Sequence, residues 1–77
     1  MDEVHRRFVL VRNVDVSGVS GTGVVAEGVR WTNGTASVCW RGEHPSIVAW
    51  PRGMTSVQFV HGHGGNSVVA WLDEETT

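Results

Sequence analysis

The dipeptide Asn33-Gly34, set between two runs rich in β-branched residues, constrains this chain more than any other feature. A two-residue type I′ turn needs φ > 0 at both central positions, which Gly and Asn tolerate best. With Asn33 and Gly34 at the tip of a hairpin, Thr32 pairs with Thr35, Trp31 with Ala36, Val29 with Val38, and Glu27 with Trp40. Side chains alternate across a strand, so Val25, Val29, Trp31, Ala36, Val38 and Trp40 share one face, and Ala26, Arg30, Thr32, Ser37 and Cys39 the other. One face is apolar and the other mostly polar, as burial of one side requires. A register slip of one residue reverses every assignment.

Other strand signals extend the pattern. Arg7 to Val16, Val24 to Trp31, Ala36 to Arg41, Ser46 to Trp50 and Ser67 to Leu72 are short and rich in β-branched or aromatic residues, with Gly, Ser, Asn and Pro clusters between them. No segment holds a 3.6-residue apolar period over ten positions, so the chain reads as all-β. Apolar residues of the first strand fall on both parities, and a bend or bulge near Arg12-Asn13 lets it serve two faces. Pro45 and Pro51 mark the ends of the fourth strand, because Pro cannot donate to a ladder. Arg52 to Val60 fits a turn or a short 3₁₀ segment. Four strands, a brief helical turn and a closing strand give a five-strand SH3-like barrel; an OB-type barrel is the alternative, weakened by the lack of a helix between strands three and four.

A chain of 77 residues forms at most one domain, here 1–77 with a core over 7–73 and mobile ends at 1–5 and 74–77. The single Cys39 cannot form an internal disulfide, and its expected place is the outer face of the hairpin. No apolar run is long enough to span a bilayer, so a cytoplasmic protein without membrane association is expected. The net charge of −2 gives no positive field for coating a duplex, which disfavours nucleic acid as a partner. All basic side chains are Arg, consistent with GC-rich coding.

Two glycine-rich stretches are the candidate ligand loops. In His61-Gly62-His63-Gly64-Gly65-Asn66, glycines let backbone N–H groups approach an anion while His61, His63 and Asn66 add hydrogen bonds or charge. The two His alone do not make a metal site, which needs three or four ligands; no metal or other cofactor is expected. In Ser17-Gly18-Val19-Ser20-Gly21-Thr22-Gly23, the hydroxyls of Ser17, Ser20 and Thr22 are candidate donors to a phosphate. This stretch lacks the Gly-Lys-Ser/Thr of a Walker loop, and a strand rather than a helix follows it. Both stretches also read as ordinary solvated loops.

Four Trp in so small a chain is a high allotment. Trp31 and Trp40 are expected inside the hairpin's apolar face. Trp50 and Trp71 have apolar neighbours on both parities, which makes them candidate interface anchors. No nucleophile elbow, paired carboxylate or Cys-His spacing is present, so no catalytic residue is assigned and a non-enzyme is expected.

The stretches Asp15 to Val29, Asn33-Gly34-Thr35 and His61 to Gly65 together resemble a group of short proteins of actinobacteria and their bacteriophages. The resemblance covers Phe8 to Asp73. It implies a bacterial or infected-cell cytoplasm and a small phage or mobile-element accessory protein, and it carries over no residue role. The layout of Gly21 to Gly28, followed by Trp31 and Asn33-Gly34-Thr35, is similar to Tudor and KOW-type barrels, an analogy of fold alone.

Three functions follow as expectations. The first is an interaction module that binds a protein partner or forms a homo-oligomer through exposed Trp and a barrel edge. The second is a binder or sequestering protein for a small anionic, nucleotide-type ligand, using both glycine-rich loops. The third is single-stranded nucleic-acid binding by aromatic stacking, against which the acidic balance speaks.

Overall fold

The computed structural model describes residues 4–13, 22–61 and 67–74. They form β1 (Arg6–Arg12), β2 (Gly23–Arg30), β3 (Ala36–Trp40), β4 (Ser46–Trp50), α1 (Met54–His61) and β5 (Ser67–Trp71). The five strands make one antiparallel sheet in the order β4-β3-β2-β1-β5. The fold is therefore small and all-β, with a short helix before the last strand, the layout expected of an SH3-like chain. Among the described residues no ladder joins β4 to β5, so the sheet stays open between its edges.

The central hairpin differs from the sequence expectation by one residue. Trp31 N–H donates to Thr35 O at 2.8 Å, Gly34 N–H donates to Trp31 O at 2.9 Å, and Gly34 has φ 90°. The loop therefore holds Thr32, Asn33 and Gly34, with only Gly34 required in the left-handed region, and Asn33 Oδ1 accepts the Thr35 N–H at 3.0 Å. Arg30 pairs with Ala36, Gly28 with Val38 and Ala26 with Trp40. β3 keeps its expected faces, but β2 reverses: Ala26, Gly28 and Arg30 share the face of Ala36 and Val38, while Glu27, Val29 and Trp31 turn to the other. Trp31 is consequently 45% exposed, not interior, and its Nε1 donates to Ser37 Oγ at 2.8 Å on the outer face.

Phe8 explains why this register wins. It pairs with Gly28 across the β1–β2 ladder, is fully buried, and its ring lies where a Gly28 Cβ would be. Only a glycine facing inward there admits the ring. The expected bend also takes another position: Leu10 pairs with Ala26 but Val11 with Val24, so Val25 is an extra residue in β2. That bulge lets Val25 and Ala26, neighbours in sequence, both join the core with Phe8, Leu10, Ala36, Val38 and Val57. β1 ends at Arg12, short of the expected Val16.

The segment expected as a turn or 3₁₀ piece is an α-helix. Gly53, at φ 77°, starts it: its carbonyl accepts the N–H groups of Ser56 and Val57, and its Cα abuts the Gly34 carbonyl at the hairpin tip. Val57 is fully buried, whereas Phe59 is 88% exposed. Eight residues are too few to display a helical period in sequence.

The two ends of the fold are fastened to each other. Arg7 donates to the Asp73 carboxylate from its main-chain N–H at 2.8 Å, from Nε at 3.0 Å and from Nη2 at 2.8 Å. Leu72 N–H returns a bond to Arg7 O, and the Arg6 guanidinium lies 3.8 Å from the Trp71 ring centroid. Hydrogen bonds from Arg7 hold the Asp73 carboxyl well below the usual carboxylate range.

Two outcomes follow. Gly28→Ala should destabilise by about 1–3 kcal/mol in denaturant unfolding, because the enclosed Phe8 ring cannot yield without disturbing the core; wild-type stability would refute that packing. The lowered Asp73 pKa means its stabilisation is present at neutral pH and is lost as pH falls below the unfolded value of about 3.9. Asp73→Asn should therefore flatten the melting-temperature profile between about pH 5 and 2. The change should be modest, since the pair is solvent-exposed, and unchanged acid sensitivity would refute it.

Candidate functional site

Arg12, the last residue of β1, is paired on one side with Gly23 and on the other with Ser67. These are the residues at which the chain re-enters the sheet after its two glycine-rich stretches. Topology brings Gly23 and Ser67, far apart in sequence, to one end of the sheet.

On the inner face at this end, between β1, β5 and α1, is a cavity of about 300 Å³ lined by Leu10, Val57, Gln58, His61, Ser67, Val68, Val69 and Trp71. Its walls follow from register: Leu10 pairs with Val69, Phe8 with Trp71 and Arg12 with Ser67, so Arg12 and Ser67 are cross-strand neighbours on the face that carries the cavity. Ser67 is buried, and its Oγ has no hydrogen-bond partner among the described residues. A buried hydroxyl without a partner loses its hydration uncompensated, which is unusual in a folded protein.

His61, the last residue of α1, lines the same cavity. Its ring is held edge-to-face by two tryptophans, with centroids at 4.7 Å from Trp40 and 5.3 Å from Trp50. These contacts fix the imidazole where the helix ends and the second glycine-rich stretch begins. The cavity therefore combines an apolar floor, a hydroxyl, an imidazole and the Gln58 amide, with the Arg12 cation on an adjoining position.

The candidate residues read from sequence divide accordingly. His61 is at the cavity, and Thr22 is exposed just before β2 at the same sheet end. Ser17, Ser20, His63 and Asn66 lie outside the described residues. Trp50 and Trp71, the candidate interface anchors, are half-buried and packed against the core; the Trp50 Nε1 is enclosed without a hydrogen-bond partner among the described residues. Sequence reading missed Ser67, Gln58 and Arg12. For Ser67 a signal existed, because it shares the parity of Val69 and Trp71 on the fifth strand; Gln58 required the helix.

A second concavity, of about 500 Å³, crosses the outer face of the sheet. Val9, Val29, Trp31, Cys39, Ile47 and Leu72 give it an apolar bed. Charged groups edge it: Arg7, held by Asp73, and Glu27, which accepts a bond from Arg41 at 3.1 Å. Among the described residues no group of three or more His, Cys, Asp or Glu is placed to hold a metal ion. None of the described helices is long and apolar enough to cross a membrane.

Comparison with known proteins adds one finding. The family model described as Acb5 phage protein matches residues 5–73, nearly the whole chain and all of its described sheet. No curated protein and no solved structure matches.

Proposed function

The chain belongs to the Acb5 phage protein family, and from that premise we propose that it is a phage accessory protein that binds a small anionic, nucleotide-type ligand at the Arg12 end of the sheet. The observation that carries this reading is the double pairing of Arg12 with Gly23 and Ser67 beside a cavity that holds a buried hydroxyl without a partner among the described residues. Arg12 supplies a cation for a phosphate, Ser67 and Gln58 supply hydrogen-bonding groups, and the His61 and Trp71 side chains line the cavity beside them. The cavity volume sits at the lower end of the range for ligand sites, about 300–1,000 Å³. Sequestration without turnover is proposed, in the cytoplasm of an infected cell; the all-Arg composition accords with a GC-rich, actinobacterial host.

Calorimetric titration against a panel of mono- and dinucleotides tests it. A hit should weaken about tenfold in Arg12→Ala and about threefold in Ser67→Ala, the effects of losing one charged and one neutral hydrogen bond. Affinity unchanged in both variants, or no hit across the panel, would refute the site. Chromatography of the ligand after incubation checks the second half of the reading: unchanged nucleotide is expected, and a product would overturn sequestration in favour of catalysis.

A second reading, binding of a protein partner or of another copy, is favoured by the outer groove. An apolar bed with Trp31 and Ile47 exposed inside a charged rim has the anatomy of an interface.

A further inference from the structure

Edge strand β4 has an unusual arrangement of main-chain groups. Trp31 N–H bonds Thr35 O and Arg41 N–H bonds Val25 O, so odd-numbered residues of β3 and its flanks turn their main-chain groups toward β2 and the even-numbered ones toward β4. Ala36, Val38 and Trp40 pair with Trp50, Val48 and Ser46, so these positions of β4 bond inward. The outward-facing positions are then Pro45, Ile47, Ala49 and Pro51. Neither proline carries an N–H, which leaves Ile47 and Ala49 as the outward donors of this edge.

We infer that β4 pairs antiparallel with β4 of a second copy about a two-fold axis at Val48, extending the sheet continuously across both chains. This rests on the self-association reading above and names its geometry. In that register Ile47 of each copy faces Ala49 of the other, so every outward donor meets an outward carbonyl. Pro45 faces Pro51 of the second copy at both ends, and the ladder stops where donors run out. Other registers place a proline opposite Ile47 or Ala49, whose carbonyl then receives no N–H.

Side chains agree with the backbone. β4 carries no charged residue, unlike edges guarded against pairing by lysine or other charges. Ile47 is 75% exposed on the outer face, and Ala49 of the second copy lies across it. Beyond the prolines, where His44 falls opposite Arg52 of the second copy, Glu43 and Arg52 are one residue out of step. Both side chains are on exposed residues, and neither has an ion-pair partner among the described residues. The opposite edge is less suited, because Arg6, Arg7 and Asp73 crowd the end of β5.

Sedimentation velocity of the full chain over a hundredfold concentration range tests the proposal. A monomer–dimer equilibrium is expected, weakened at least tenfold by Ile47→Lys. Glu43→Arg should also weaken it, and adding Arg52→Glu to that variant should restore it, with circular dichroism confirming the fold throughout. A dimer indifferent to all of these changes would overturn β4 pairing while keeping self-association. A monomer at every concentration would overturn both.

Discussion

The ring of Phe8 resting on Gly28 is the contact on which the rest of the structure depends. A buried aromatic in so small a core needs one neighbouring strand to come close without a side chain in the way. Meeting that need turns Gly28 inward, which fixes the register of β2 against both β1 and β3. The three-residue loop at Thr32 to Gly34 is the turn that delivers that register. Once it is set, Trp31 and Val29 have no place inside and become the bed of the outer groove. One packing requirement thus decides both what the core contains and what the surface displays.

The same sheet order that closes the core also assembles the candidate ligand site. β1 lies between β2 and β5, so its last residue borders the chain on both sides. Gly23 and Ser67, 44 positions apart in sequence, both border that single residue. The helix completes the arrangement by bringing His61 and Gln58 over β5, with Trp40 and Trp50 bracing the imidazole. The chain belongs to a phage protein family, and the walls of the cavity combine apolar side chains with a hydroxyl, an amide and an imidazole.

Much of the fold was legible in the residues, because turn chemistry and alternation are local signals. The strands, their all-β class, the position of the hairpin and the prolines bracketing β4 all follow from neighbours in sequence. The hairpin register was not legible, since Asn-Gly serves either a two-residue or a three-residue loop and the choice rests on Phe8, more than twenty residues away. The helix was hidden by its brevity, and with it the inner wall of the cavity. Of the site, His61 was visible as part of an unusual motif. Arg12 and Ser67 look ordinary until pairing sets them opposite each other, and tryptophan exposure could not be read while the register was open.

The abutment of the Gly34 carbonyl on Gly53 ties the hairpin tip to the start of the helix, leaving no room for a side chain between them. Since α1 also forms one wall of the cavity, the hairpin tip and the cavity share contacts with the same helix of eight residues. A side chain at Gly53 would therefore disturb the hairpin tip and the start of the helix that walls the cavity together.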